Sequence, residues 1–330
     1  MENYSSSSKT NRYSRHPSRR DFLKTSAGLF AATALAPFSC QSSKLFPRRL
    51  VRFGLVTDIH YADADPRGSR HYRDSIGKLN EGIDLITSQK IDFLIELGDF
   101  KDQDEPPVEA NTIKYLQTVE KIFRKFPAPS YHVLGNHDMD SLSKGQFLAN
   151  VQNAGIAPDR TYYSFDVKGV HCIVLDANFT AKGDAYDHGN FDWTDAHIPP
   201  AQLDWLGKEV KAARGPIIVF THQLLDGTGL YYIKNAAQVR QVLEESGKVL
   251  TVFQGHYHEG SYNLINGIHY YTLKAVIEGP APDNNAYAVV EVLPDNNITV
   301  TGYRKAISKN LSASSAAQLP GEIYSDAAIG

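Results

Sequence analysis

Leu134-Gly135-Asn136-His137-Asp138 closes a short apolar run, Tyr131 to Leu134, with a glycine and three side chains rich in nitrogen and oxygen donors. In a parallel α/β sheet the carboxyl ends of the strands form the crevice where ligands bind, and a glycine at such an end lets the backbone turn sharply. The stretch therefore predicts a strand that runs out into a loop aimed at a site.

Four other runs end in the same way. Arg52 to Thr57 leads into Asp58-Ile59-His60, Ile91 to Leu97 into Gly98-Asp99-Phe100, Pro216 to Thr221 into His222, and Val249 to Gln254 into Gly255-His256-Tyr257-His258. Apolar runs of this length, bounded by Gly, Asp or His, are expected of strands buried on both faces. Between the early runs, His71 to Gln89 places Ile76, Leu79, Ile83 and Ile86 at helical spacing, and Val108 to Phe126 repeats the pattern with Ile113, Leu116, Val119, Ile122 and Phe123. Alternating strands and helices predict an α/β chain with right-handed crossovers and a parallel sheet core, all five polar strand ends on one edge.

The second half predicts a hairpin of Tyr162 to Val167 and His171 to Leu175 across Lys168-Gly169. A long polar segment, Asn178 to Pro199, follows, with Tyr186, His188, Phe191, Trp193 and His197 available to touch a substrate. A helix starts at Pro200 on a Leu203, Leu206 and Val210 stripe, another spans Asn235 to Glu245, and Tyr287 to Val292 pairs with Ile298 to Tyr303 around Pro294-Asp295-Asn296-Asn297.

With 330 residues, 42% of them hydrophobic, the chain can bury a large core, and one catalytic domain at 51–305 is the simplest division. A net charge of -3 gives no basic surface for nucleic acid. Cys172 sits in an apolar run and reads as a buried inert thiol, so no structural disulfide with Cys40 is expected.

Residues 1–50 read as an export signal and linker. Ser18-Arg19-Arg20-Asp21-Phe22-Leu23-Lys24 precedes an apolar run, Ala27 to Phe38, that is too short to span a bilayer. Paired arginines followed by Phe-Leu-Lys are the twin-arginine pattern, which names the twin-arginine export machinery as a partner. Ala34-Leu35-Ala36 offers a cleavage site, whereas Cys40 offers a lipid anchor, so the product is expected to be periplasmic or a membrane-tethered lipoprotein. Residues 306–330, rich in Ser and Ala from Ser308, read as a weakly ordered tail.

Carboxylates, imidazoles and one carboxamide at strand ends form a donor set suited to a pair of borderline divalent ions, Mn, Fe or Zn. A single buried His is more often a hydrogen-bonded core residue than a ligand; the coincidence at five strand ends reverses that weighting. In this order, Asp-x-His, Gly-Asp, Gly-Asn-His-Asp, a lone His and Gly-His-x-His resemble the calcineurin-like metallophosphoesterases over residues 51–305. The resemblance implies a four-layer α+β fold, a β-sandwich core flanked by helices. It also implies one ion on Asp58, His60, Asp99 and His258, and a second on Asp99, Asn136, His222 and His256, with Asp99 between them. By the same resemblance His137 donates to the leaving oxygen as an acid or stabilises the transition state, with Asp138 orienting its ring. Two dications against Asp58, Asp99 and a shared hydroxide leave roughly one positive charge, enough to draw a phosphate to an acidic chain.

Further stretches, Asp58 to Asp63, His71-Tyr72-Arg73-Asp74-Ser75, Gln202 to Leu206, Gly255 to Gly260 and Val276 to Pro280, resemble the manganese-dependent ADP-ribose/CDP-alcohol diphosphatases, which favours Mn. That subgroup carries Gln where this chain has His60. The expected activity is hydrolysis of phosphodiester or diphosphate bonds, nucleotide diphosphates foremost, with hydroxide as nucleophile. A phosphomonoesterase with the same ions is the alternative, and a metal-binding module without catalysis is a third, disfavoured by the presence of His137.

Overall fold

The computed structural model describes residues 50–313. Two six-stranded sheets face each other. The first is built on Val51–Val56 (β1), Phe93–Glu96 (β2) and Ser130–His132 (β3), which run parallel and lie in that order across the sheet. Ala286–Val292 (β10), Ile298–Arg304 (β11) and Lys309–Leu311 (β12) complete it on the β1 side in antiparallel register, β10 next to β1 with Val51 opposite Val292 and β12 at the edge. The second contains Tyr163–Val167 (β4), Val170–Val174 (β5), Ile217–Thr221 (β6), Val249–Gln254 (β7), Ser261–Ile265 (β8) and Ile268–Thr272 (β9), in the order β4-β5-β6-β7-β9-β8. Here β5, β6, β7 and β9 are parallel, with antiparallel β4 and β8 at the edges.

Three apolar layers hold this together. Between the sheets, Phe53 stacks on Phe93 at 4.8 Å and meets the edges of Phe220 and Phe253 from the opposite sheet at 5.7 and 5.6 Å. Outside the first sheet, Ser75–Ser88 (α1), Glu109–Phe123 (α2) and Lys144–Asn150 (α3) bury Leu79, Ile83, Ile86, Leu116, Val119, Phe123 and Phe147. Outside the second, Pro200–Ala212 (α4) and Ala236–Glu245 (α5) bury Leu206, Val210, Val239 and Leu243. Each helix buries one stripe and each sheet both faces, which yields the four-layer α/β sandwich of the metallophosphoesterase fold.

Two expectations are corrected. The polar strand ends do not share the edge of one parallel sheet: β1, β2 and β3 belong to one sheet, β6 and β7 to the other, and their carboxyl ends converge across the sandwich. Alternating apolar runs look the same whether the strands form one sheet or two; the choice is made by packing such as Phe53 on Phe220. Lys309–Leu311, placed by composition in the weakly ordered tail, pairs with β11 and buries Leu311 in the inter-sheet layer. The β8–β9 hairpin was not anticipated, although Asn266-Gly267, at φ 49° and 84°, is a strong two-residue hairpin signal. Among the described residues no helix is long and apolar enough to cross a membrane.

Candidate active site

The carboxyl ends of β1, β2, β6 and β7, with the loop after β3, place Asp58, His60, Asp99, Asn136, His222, His256 and His258 around one point. The ligand atoms of Asp58, His60 and His258 lie within 4.8 Å of one another, as do those of Asp99, His222 and His256. Asp99 Oδ2 lies between the groups, 3.5 Å from His60 Nε2 and 3.1 Å from His222 Nε2. Six of the seven sequence-expected ligands are thus brought together, and Asn136 lines the same cleft as Asp99, His256 and His258.

The backbone accepts strain to do this. Asp58, His60, Asp99 and His256 occupy the left-handed region at φ 51°, 46°, 56° and 66°, a conformation that non-glycine residues adopt at a cost and that concentrates at functional sites. Gly135 is required by a close approach: a Cβ there would run into the Asp99 amide and carboxylate. Asp138 is the clamp across these turns. Its carboxylate accepts N–H bonds from Gly135 at 2.8 Å, Asp99 at 3.1 Å and Phe100 at 2.9 Å.

The side chains show the same division of labour. His60 Nδ1 faces Asp102 at 3.2 Å, His222 Nδ1 faces the Leu97 carbonyl at 2.8 Å, and His258 Nδ1 faces Glu278 at 2.5 Å. Metal-binding imidazoles characteristically hold their second nitrogen in this manner. On the inner side, Asp58 Oδ1, Asn136 Oδ1 and Nε2 of His60, His222 and His256 are buried with no hydrogen-bond partner. Buried polar atoms are normally satisfied, so five unsatisfied donor atoms converging on one point fit a metal centre.

Electrostatics prepare the donors. Burial opposes the charge on Asp58, but the imidazoles of His258 and His60, 3.4 and 3.8 Å from its Oδ1, and the nearby His222 outweigh it and hold the carboxyl below the usual range. For Asp99, burial is likewise overcome by His222, His137 and His60. Burial and the neighbouring His222 depress His256 to about 3, which keeps it a neutral donor. Burial alone would lower His137, but Asp140 and Asp99 raise it to about 10.

Asp138 does not orient His137. The ring's Nδ1 is held by Asp140 Oδ2 at 2.6 Å, one turn further along, because the 3-10 turn of His137–Met139 carries the i+3 side chain back over the imidazole. Asp138 points the other way, into the N–H groups described above. Sequence reasoning also missed Asp102 and Glu278; the first sits three residues after Asp99, and the second lies in a segment pinned by Lys78. That buried amine donates to the carbonyls of Val276, Glu278 and Gly279 at 2.8, 3.0 and 2.6 Å.

The centre opens into a cleft of about 520 Å³ lined by Arg70, His137, Trp193, Tyr231, Tyr257, Glu259 and Glu278, with Asp99, Asn136, His256 and His258. Of the aromatic and His residues expected to touch a substrate from the 178–199 segment, only Trp193 lines this cleft. Tyr186 is buried and stacks on Phe191 at 3.9 Å, and His188 and His197 pair with acidic neighbours, Asp187 and Asp195.

The calcineurin-like phosphoesterase signature matches residues 51–260, and a twin-arginine translocation signal sequence matches residues 16–36, which supports export across the membrane. Arg19, Arg20 and Cys40 lie outside the described residues. The chain is 28% identical over 76% of its length to a manganese-dependent ADP-ribose/CDP-alcohol diphosphatase of Oryza sativa, covering 91% of that protein. A protein of the same name from Arabidopsis thaliana is 25% identical, with 77% and 94% covered. In fold the chain is similar to a dimetal phosphatase from Danio rerio, with TM-score 0.71 and 20% identity over 81% of this chain and 100% of that one. It is also similar to a purple acid phosphatase from Lupinus luteus, with TM-score 0.56 and 14% identity over 84% and 57%. The signature spans most of the described sandwich and contains every one of the converging donors, and on that basis the chain belongs to the calcineurin-like phosphoesterase family of hydrolases.

Proposed function

We propose that this exported protein hydrolyses diphosphate or phosphodiester bonds in nucleotide diphosphates of the ADP-ribose and CDP-alcohol type. The observation behind this reading is the convergence of unsatisfied buried donor atoms at the floor of an open cleft; the names of the curated relatives supply the substrate class. One divalent ion would sit on Asp58, His60, Asp99 and His258, and another on Asp99, Asn136, His222 and His256, manganese being favoured by the relatives' names. When bound, such ions supply the Lewis acidity and the activated water that attack on phosphorus needs.

The chain's own groups do the rest. Asp58 and Asp99 remain ionised and supply the negative charge of the site. Asp102, Glu278 and the Leu97 carbonyl hold three imidazoles in one tautomer. With Nδ1 on Asp140, His137 presents its other ring nitrogen to the cleft and protonates the leaving oxygen, a role worth about 10² to 10⁴-fold in comparable acids.

With manganese present, ADP-ribose yields AMP and ribose 5-phosphate, with kcat/KM at least about tenfold above that for cleavage of a nucleoside 5′-monophosphate. A better monophosphate substrate transfers the site to the phosphomonoesterase reading. Export is by the twin-arginine route to the periplasm, with Cys40 as a lipid anchor if cleavage falls just before it. Replacing Arg19 and Arg20 with Lys leaves the precursor in the cytoplasm, and unchanged export of that variant removes this route.

A further inference from the structure

The two sides of the cleft differ in chemistry. Beside His60 and His258 stands Arg70, which among the described residues lining the cleft is the one permanent cation. Its guanidinium lies 3.9 Å from Asp102, beyond hydrogen-bond reach, and its side chain is 32% exposed. The nearby Glu278 carboxylate is engaged by His258. Beside His256, on the other side, three aromatic rings form an open wall. Trp193 and Tyr231 each lie 5.5 Å from the His256 ring, 5.6 Å from each other, and Tyr257 lies 5.2 Å from Tyr231. Trp193 and Tyr231 are 38% and 39% exposed, large apolar surface standing open in the lining of a polar site.

A substrate with a single phosphorus centre and small substituents has no use for either wall. A diphosphate lying across the floor, one phosphate at the ions, carries a second phosphate that needs a cation, and Arg70 offers a planar, multidentate one. A flat group attached to the other end would bury its face against the aromatic wall, which accepts any π-face.

Resting on the function proposed above, we infer that the cleft reads its substrate by polarity: Arg70 takes the phosphate remote from the ions, and Trp193, Tyr231 and Tyr257 take a nucleobase. The wall comes from two separate loops, the 178–199 segment and the Leu224 to Tyr232 loop after β6, together with the Tyr257 position between His256 and His258.

Binding tests the aromatic half without turnover. The chain has two tryptophans, Trp193 and Trp205, and Trp205, which packs on Tyr162 away from the cleft, is replaced in a Trp205→Phe protein so that Trp193 alone reports. Loaded with manganese, this protein shows Trp193 fluorescence quenching on titration with AMP and CMP and none with ribose 5-phosphate at equal concentration. Equal quenching by the base-free phosphate, or none by the nucleotides, overturns the base-stacking assignment whether or not ADP-ribose is cleaved. Kinetics test selectivity: the ratio of kcat/KM for ADP-ribose to that for methyl p-nitrophenyl phosphate falls about tenfold in Trp193→Ala and in Tyr231→Ala, through KM. It falls by a similar factor in Arg70→Gln, with partial recovery in Arg70→Lys. An unchanged ratio in these variants, both substrates declining together, assigns the residues a structural role and overturns the inference. If no variant, and not the parent, cleaves ADP-ribose, the proposed function fails while the quenching result still decides the stacking site.

Discussion

The ring of donors at the strand ends and the rim of the cleft above it are built on opposite terms. In the ring, every side chain but that of His258 is buried, Asp58, His60, Asp99 and His256 are held in left-handed turns, and every imidazole but that of His256 has its second nitrogen fixed by an oxygen. On the rim, Trp193 and Tyr231 come from loops and stand exposed. Chemistry shared across a family needs fixed geometry and takes it from strands anchored in a core; substrate choice can be set by loops that the core tolerates in many forms.

The contrast would break most visibly at Asp99. An amide in its place retains the size and loses the charge between the two donor groups, so Asp99→Asn is expected to reduce hydrolysis of every substrate to background. A variant that keeps measurable turnover on ADP-ribose would show that the ring does not act as one unit.

A smaller loss sharpens the distinction between acid, orienter and clamp. His137→Ala lowers kcat by about 10² or more with metal content unchanged. Asp140→Asn lowers it by roughly tenfold, because the ring loses its ionic partner while staying in place. Asp138→Asn, by contrast, lowers the melting temperature, since its carboxylate ties together the turns carrying Gly135, Asp99 and Phe100. Steady-state kinetics with thermal unfolding separate the three, and an Asp138→Asn protein of normal stability with only kcat impaired would return Asp138 to the orienting role.

How much was legible divides along the same line. The five strand ends could be read from Asp58, Asp99, Asn136, His222 and His256 because each follows an apolar run, and local periodicity reports burial. That they come from two sheets could not, because Phe53 meeting Phe220 and Phe253 is a contact between distant segments. The partner of His137 was misassigned because adjacency in sequence favoured Asp138, whereas a 3-10 turn brings i+3 alongside. Glu278 was visible in a quoted stretch, but its role depends on Lys78, 200 residues away, holding that loop. Tyr257 is, in the sequence, only the spacer between two ligands, and Tyr231 stands in no motif at all.

The smallest expected effect lies beneath the ring. His132 Nδ1 is 3.3 Å from Glu96 and its Nε2 is 3.1 Å from Glu120, all three buried. Burial pushes Glu96 up to about 8. Burial alone would lower His132, but Glu120 and Glu96 raise it to about 9. Both directions mean that the folded cluster holds a proton the unfolded chain gives up, so its contribution is complete at low pH and is lost as pH rises through about 8 to 9. Metal-free protein is therefore expected to lose on the order of 1 to 3 kcal/mol between pH 6.5 and pH 9.5, with a shallower slope in Glu96→Gln. Equal slopes in parent and variant would remove the buried cluster as the cause.

The most direct measurement is the metal stoichiometry of the folded protein by elemental analysis after manganese loading and removal of free ions. Two donor groups sharing Asp99 predict two manganese ions per chain in the parent, and one or none in Asp99→Asn. A parent that retains a single ion, or an Asp99→Asn protein that still retains two, would contradict a dinuclear site bridged at the junction of the two sheets.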